Sequence, residues 1–169
     1  MSAPVEIADY DPGWPQAFAA LRDRIAPVLG PLAARIEHVG STAVPGLPAK
    51  PVIDLDVVIA AGAELSEVIA RLGTLGYRHE GDLGIAGREA FASPAGAPAH
   101  HLYVCTAGSR ELARHLAFRD YLRSYPGQAS AYAELKRSLA ERFRTDRDAY
   151  GRGKAEFVEQ ALAAGCRGC

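Results

Sequence analysis

The sequence lacks any long hydrophobic run. Its longest apolar stretch, residues 57–62, is far shorter than the roughly 20 residues that a membrane-spanning helix requires. The first residues show neither the basic start nor the apolar segment of a signal peptide. About half of the chain is nevertheless apolar, as is typical of a folded domain. We therefore expect a globular cytoplasmic protein without a membrane partner.

Cysteine is also scarce, and its number is odd: only Cys105, Cys166 and Cys169 occur. Such a count is typical of reduced thiols in the cytosol rather than of a disulfide framework. The pair Cys166 and Cys169 has the Cys-x-x-Cys spacing, but zinc requires four ligands and one pair supplies only two. We expect free thiols at this end of the chain.

A charge excess of either sign is missing. The chain has 19 basic and 20 acidic residues and a net charge of −1. Proteins that bind nucleic acid or anionic membranes usually carry an excess of positive charge. The balance therefore argues against a nucleic-acid partner and favours a small-molecule ligand.

Periodic hydrophobic residues predict alternating helices and strands in the first part of the chain and helices alone in the last part. Strands are predicted at 33–39, 52–60, 77–80, 88–92 and 101–105, and helices at 14–29, 64–75, 110–124, 128–143 and 147–164. Four prolines and glycines make 41–51 a loop. We interpret residues 1–169 as one α/β (α+β) domain, with a mixed sheet in 1–107 and a helical layer in 108–169.

Two aspartates interrupt the most apolar predicted strand. Asp54 and Asp56 are two residues apart, so alternation places both on one face of the sheet, with Cα atoms roughly 6.5 Å apart. Carboxylates are rarely buried without a partner, and a divalent cation such as Mg²⁺ or Mn²⁺ relieves the repulsion between two of them. Structural ion pairs, or a solvated face of the sheet, are the alternatives.

A glycine and a serine precede these aspartates by 13 residues. Gly40 permits a sharp bend and a close approach to a ligand, and Ser41, Thr42 and the N–H groups that follow can donate to phosphate oxygens. A strand, a Gly-Ser bend and a strand with Asp-x-Asp together resemble the signature of the nucleotidyltransferase superfamily. That resemblance implies a phosphate loop at Gly40 and Ser41 and metal-binding carboxylates at Asp54 and Asp56.

The resemblance extends to a particular family. Residues 38–56 (HVGSTAVPGLPAKPVIDLD) look like the hallmark segment of the GrpB family, which in some bacteria is fused to dephospho-CoA kinase. Residues 10–15, residues 118–123, and Lys154 with Phe157-Val158 are similar to further motifs of that family. The resemblance spans nearly the whole chain and implies a nucleotidyltransferase-like fold, with a nucleoside triphosphate and Mg²⁺ as the expected ligands.

Active members of the superfamily usually add a third carboxylate from a later strand. Glu89 is one candidate for that position. The other candidate is the strand at His101, where the family tends to show His-x-Leu-His-Val and Tyr103 here replaces the second histidine. In that case His101 would point into the site and His100 would face the opposite side. A hydrogen-bonded structural histidine is the alternative for His101.

The predicted C-terminal helices turn cations toward their apolar faces. His115 and Arg119 fall within the apolar stripe of the first helix, Lys136 borders that of the second, and Lys154 lies within that of the third. A buried cation requires a partner, and a polyphosphate near Asp54 would supply one. We expect Arg119, Lys136 and the loop residue Lys50 to contact the anion. Side chains that extend their charges to solvent are the alternative.

Two functions are compatible with these residues. In the first, an enzyme with Mg²⁺ at Asp54 and Asp56 moves a nucleoside monophosphate from a nucleoside triphosphate to a small-molecule acceptor, and pyrophosphate leaves. In the second, the carboxylate set is incomplete. The domain then binds a nucleotide or a CoA-like ligand without catalysis, or docks a partner related to dephospho-CoA kinase.

Overall fold

Five strands form one mixed sheet in the computed structural model, which describes residues 4–166. The strands are β1 (Ala33–Val39), β2 (Ile53–Ile59), β3 (Arg78–Gly81), β4 (Arg88–Ala92) and β5 (His100–Cys105). Their order across the sheet is β1-β2-β5-β4-β3. Only the β2–β5 pair is parallel, and the other neighbours are antiparallel. The fold is the mixed α/β arrangement that the sequence pattern predicts.

The helices lie on both sides of this sheet. They are α1 (Trp14–Leu29), α2 (Leu65–Thr74), α3 (Arg110–Ser124), α4 (Pro126–Arg142) and α5 (Arg147–Cys166). A single residue, Tyr125, separates α3 from α4, because Pro126 occupies the first turn of α4 instead of preceding the helix. Among residues 4–166, none of the helices combines the length and hydrophobicity needed to cross a bilayer.

One face of the sheet carries the main hydrophobic core. The alternate residues Ile53, Leu55 and Val57 of β2 pack there, together with Leu102 and Val104 of β5. The helices α1 and α2 cover this face with apolar side chains that include Leu21, Ile25, Leu29, Val68 and Leu72. Because side chains alternate along a strand, Asp54 and Asp56 project from the opposite face, as predicted.

On the opposite face, α3 packs against the sheet, and α4 and α5 pack against α3 and against each other. Near β2 and β5, Val58 and Cys105 pack against Leu112 of α3. Burial raises the pKa of the Cys105 thiol to about 12, with a smaller contribution from the charge of Asp56. Cys105 is therefore an inert core residue. Of the C-terminal Cys-x-x-Cys pair, Cys166 is exposed and Cys169 lies outside the described residues.

A glycine allows α4 and α5 to pack closely. Gly153 lies within α5, and a Cβ atom at this position would come within 2.5 Å of the Leu139 side chain on α4. The glycine, which weakens helix propensity, is thus explained by close helix–helix contact rather than by a helix end. The two helices also pack on the loop between β1 and β2, where Val44 and Leu47 contact a cluster that includes Tyr132 of α4 and Phe157 of α5.

Candidate active site

The strand register places the glycine bend beside the first aspartate. In the antiparallel pair of β1 and β2, Val39 lies opposite Asp54, so Gly40 follows directly next to it. Gly40 has φ 73° and ψ −174°, a backbone conformation essentially restricted to glycine. A Cβ atom built on Gly40 would overlap the Asp54 carboxylate. The bend and the carboxylate therefore form one unit, and each fixes the position of the other.

Neutral side chains contact the loop that follows the bend. Ser41–Ala43 form a short 3₁₀ turn. His38 stacks on the Phe18 ring and forms a 2.9 Å hydrogen bond with Thr42 Oγ1. Burial is the main reason why the pKa of His38 falls to about 4, so His38 is neutral at pH 7. Ser41 lies close to the buried side chain of Tyr132 on α4, and burial raises the pKa of Tyr132.

Arg119 anchors this region instead of facing a ligand. Its guanidinium donates to Glu37 Oε2 at 2.9 Å, to the His38 carbonyl at 3.1 Å and to Asp120 Oδ1 at 2.8 Å. The prediction that Arg119 faces the interior agrees with the structure. The expected anion is, however, a protein carboxylate on β1, so this side chain does not line the cavity described below.

Each of the two aspartates receives a hydrogen bond from a histidine. His101 Nδ1 donates to Asp54 Oδ1 at 2.8 Å, and His115 Nδ1 on α3 donates to Asp56 Oδ2 at 2.6 Å. The hydrogen bond to Asp54 raises the pKa of His101, and burial offsets part of that rise. For His115, burial disfavours the charged ring, but the hydrogen bond to Asp56 outweighs it and the pKa is raised.

A third acid approaches the site from α3, and sequence reasoning missed it. Glu111 Oε1 lies 3.2 Å from Nε2 of His115, so Glu111, His115 and Asp56 form a continuous chain of contacts. The spacing of Glu111 and His115, four residues apart on one helix face, was the available signal.

Of the two candidates for the third position, Glu89 does not face the aspartates. Glu89 lies opposite Val104, on the face covered by α1 and α2, and its carboxylate accepts a 2.6 Å hydrogen bond from His79. The strand next to β2 is β5, where His101 lies opposite Asp54 and Tyr103 lies opposite Asp56. His100 faces away, as predicted, and is held by the Tyr77 hydroxyl and the Pro98 carbonyl.

The two aspartates differ in their surroundings. Asp54 lines a cavity of about 250 Å³, whereas Asp56 is fully buried behind it and does not line that cavity. The Oδ1 atom of Asp56 is buried and has no hydrogen-bond partner among the described residues. An unpartnered buried carboxylate oxygen is costly, and a cation would satisfy it.

These carboxylates fit a magnesium ion only in part. Mg²⁺ usually takes one or two protein carboxylates, and substrate phosphates and waters complete its shell. Asp54 and Asp56 could provide that pair. Within residues 4–166, however, no group of three or more His, Cys, Asp or Glu side chains has the arrangement of a metal site. A cation here would therefore depend on ligands brought by a substrate.

Every lysine of the protein lies at this cavity. The chain contains three lysines, Lys50, Lys136 and Lys154, against 16 arginines. All three line the cavity, together with Ser41, Thr42, Ala49, Val52, Asp54, His101 and Tyr150. In the described part of the chain, none of the three forms an ion pair with a carboxylate. The Arg119 side chain is excluded, but the predicted contacts Lys50 and Lys136 are brought together with Asp54.

Burial makes the lysine charges unfavourable. Lys136 is 2% exposed, and its ammonium group donates to the Pro48 carbonyl. Burial, with smaller contributions from the charges of Lys154 and Arg137, lowers the pKa of Lys136 to about 7. Burial and the nearby Lys50 charge likewise lower the pKa of Lys154 to about 8. An anion in the cavity would offset this repulsion.

The Tyr150 ring contacts two of these ammonium groups. The Tyr150 ring centroid lies 4.6 Å from Lys50 Nζ and 4.4 Å from Lys154 Nζ. Cation–π contacts orient an ammonium group without neutralising its charge. One ring thus orients two of the three lysines that line the cavity.

Comparison with solved structures identifies the class of fold. The described chain superposes on the crystal structure of conserved protein GrpB from Enterococcus faecalis with a TM-score of 0.86, covering 96% of this chain and 98% of that chain at 29% identity. It also superposes on the Cid1 poly(U) polymerase bound to MgGTP with a TM-score of 0.56, covering 80% of this chain and 45% of that one at 15% identity. The fold is therefore nucleotidyltransferase-like.

The chain belongs to the GrpB family. The family model described as GrpB protein matches residues 4–164. A UPF0157 protein of Pseudomonas aeruginosa is 42% identical over 164 residues, which are 94% of this chain. The YqkA protein of Bacillus subtilis is 36% identical over 157 residues, which are 93% of this chain. The chain spans 66% of the length of the first relative and 46% of the second.

The family domain also occurs within a larger enzyme. A dephospho-CoA kinase of Mycolicibacterium paratuberculosis is 31% identical over 186 aligned residues, which cover 94% of this chain and 45% of that protein. The expected relation to dephospho-CoA kinase fusions is thus confirmed at the level of sequence.

Proposed function

We propose that this chain is a divalent-cation-dependent nucleotidyltransferase that moves a nucleoside monophosphate from a nucleoside triphosphate to a small-molecule acceptor. One observation carries the proposal: Asp54 lies against the Gly40 bend and opens into a cavity that holds every lysine of the protein. Carboxylates for a cation and unpaired ammonium groups for phosphates are what phosphoryl transfer requires of a protein.

The residues of the chain take distinct parts in this proposal. Lys50, Lys136 and Lys154 bind the phosphate chain, and Ser41 and Thr42, in the loop that follows Gly40, line the same cavity. Asp54 and Asp56 would hold Mg²⁺ or Mn²⁺, which when bound supplies electrophilic stabilisation of the phosphoryl oxygens. His115 fixes the Asp56 carboxylate, and Glu111 in turn orients His115.

His101 is placed to handle the acceptor proton. Because its Nδ1 donates to Asp54, its Nε2 is the remaining ring nitrogen, and the side chain is 59% exposed at the cavity. An acceptor hydroxyl that enters the cavity beside the phosphates would meet this nitrogen. His101 thereby occupies, on β5, the strand position from which a third carboxylate was expected.

The test is the metal dependence of nucleotide binding. Isothermal titration of the protein with a nucleoside triphosphate should give at least tenfold tighter binding with Mg²⁺ than with EDTA, and Asp54→Asn should remove that difference. Asp23→Asn is the matched control, because Asp23 is an exposed acid on α1. A dissociation constant that changes neither with the metal nor with the Asp54 substitution would contradict the proposal.

A second function is favoured by the residues on β5. His101 and Tyr103 stand where a third acid is expected, which suits a domain that binds a nucleotide or a CoA-like ligand without transfer. The two functions differ in whether pyrophosphate is released. Pyrophosphate released from a triphosphate in the presence of a deproteinised metabolite extract supports transfer. Tight, metal-dependent binding without release in the same extract supports a binding domain.

A further inference from the structure

The lining of the cavity is better suited to a phosphate chain than to a base. Its volume of about 250 Å³ is below the roughly 300–1,000 Å³ of pockets that enclose a whole drug-sized ligand. Its charged lining consists of three ammonium groups, one carboxylate and one imidazole. These groups suit phosphate oxygens and a bound cation, and the apolar part of the lining is limited to Ala49, Val52 and the Tyr150 ring.

Planar side chains that form paired hydrogen bonds with a base edge are absent from the described lining of the cavity. Asn and Gln pair in this way with adenine and Arg with guanine, whereas Ser, Thr and Lys, which line the cavity, also bind phosphate oxygens. The chain contains no asparagine, and its three glutamines, Gln16, Gln128 and Gln160, do not line the cavity. The two arginines closest to the bend, Arg119 and Arg123, are already bound to Glu37 and to the Ala43 carbonyl.

Backbone groups on the loop side of the cavity are occupied as well. The N–H and C=O groups of Ala49 pair with Ala8, the Lys50 carbonyl accepts from Val52, and the Pro48 carbonyl accepts from Lys136. A base that approached these residues would find few free donors or acceptors. The hydrogen bonds of this loop therefore serve the loop itself.

Rings at the cavity cannot discriminate between bases either. Tyr150 is 2% exposed, and its ring already contacts Lys50 and Lys154. The exposed ring is His101, which is free to stack on a base at the rim. Stacking tolerates any base, because every base has a π-face.

We propose that this site, given the function proposed above, recognises its ligand through the phosphate chain and leaves the base in solvent, so that ligands sharing a triphosphate bind alike. Nucleoside triphosphates and inorganic polyphosphate carry the same chemistry. The nucleotide base then contributes little to affinity, and selectivity resides in the acceptor.

The experiment compares five ligands in the presence of Mg²⁺. Isothermal titration with ATP, GTP, CTP, UTP and inorganic tripolyphosphate should give dissociation constants within about fivefold of one another, and adenosine should not bind measurably. A tenfold or larger preference for one base, or adenosine binding as tightly as ATP, would overturn the inference and leave the transferase proposal standing. Failure of all five triphosphates to bind would overturn both.

A lysine variant tests the recognition mode directly. Lys154→Gln should weaken all five triphosphate ligands by a similar factor, about 10- to 100-fold, because it removes a charge-assisted contact to phosphate. Arg152→Gln is the matched control, since it removes an equal charge from the exposed side of the same helix. A loss confined to one nucleotide would overturn the inference. An equal loss of affinity for all five ligands, with no pyrophosphate release in any extract, would support phosphate recognition and contradict the transferase proposal.

Discussion

Replacing Gly40 with alanine tests whether the bend and the aspartate form one unit. The backbone conformation at Gly40 is essentially closed to other residues, and a side chain there costs roughly 1–3 kcal/mol in strain. The new Cβ would also overlap the Asp54 carboxylate, which must then move away from His101. Loss of that hydrogen bond adds about 1 kcal/mol. We expect Gly40→Ala to reduce the free energy of unfolding by about 2–4 kcal/mol.

The assay is thermal unfolding, with urea titration to confirm the free energy. For a chain of this length, 2–4 kcal/mol corresponds to a fall in Tm of roughly 5–15 °C. Gly46→Ala is the matched control, because Gly46 also has a positive φ of 79°, but a Cβ atom added there would have no neighbour within 4 Å. It should show strain alone, about 1–2 kcal/mol.

Two results would refute this account of the bend. One is a Gly40→Ala variant that is no less stable than Gly46→Ala. The other concerns a double variant: with Asp54→Ala already present, the penalty of Gly40→Ala should fall by about 1 kcal/mol, because the carboxylate is gone. An unchanged penalty would mean that the close approach of Gly40 and Asp54 has no energetic consequence.

Two further predictions concern α4 and α5. Lys136→Met should raise the free energy of unfolding at pH 7 by on the order of 2–3 kcal/mol, since the folded protein no longer has to bury this lysine. The folded-state pKa of Lys136, about 7, lies below its usual value of 10.5, so the wild-type protein gains stability as the pH rises from 7 to 10.5. The urea midpoints of the wild type and the variant should therefore converge over this pH range. A constant difference between the two midpoints would contradict this effect of burial. Gly153→Ala should lower the free energy of unfolding by about 1–3 kcal/mol, because the new methyl group overlaps Leu139. Gly151→Ala has open space around it and should raise the free energy of unfolding by about 0.5–1 kcal/mol. Equal urea midpoints for the two variants would contradict the close packing of α4 and α5.

Local periodicity was sufficient for the elements and for the face on which each side chain lies. Strand alternation placed Asp54 and Asp56 opposite the main core, and the helical stripe placed Arg119 and Lys136 inward. Neither pattern says which residue a side chain meets. Arg119 contacts Glu37 on β1, whereas Lys136 lines the cavity. Which of these two partners an inward-facing cation has depends on how α3 and α4 pack in the folded chain.

Strand register was the part that the sequence left open. Glu89 and the two aspartates each sit on a predicted strand, but alternation within one strand does not fix its alignment with the next. The register of β4 against β5 places Glu89 opposite Val104, on the core face. The register of β2 against β5 places His101 beside Asp54. A shift of one residue in either pair would have exchanged these positions.

The lysines of the cavity have no carboxylate partner among the described residues. A lysine that is buried for structural reasons normally has a carboxylate to offset its desolvation, as Arg119 has in Glu37. Lys136 and Lys154 have aromatic rings and a carbonyl instead, and burial lowers the pKa of both. The fold therefore keeps these lysines at one cavity, in surroundings that disfavour their charged forms. An anion that binds only the folded state would recover this energy, so ligand binding and stability should be linked at the cavity. Under the proposed function, that anion is the phosphate chain of the ligand.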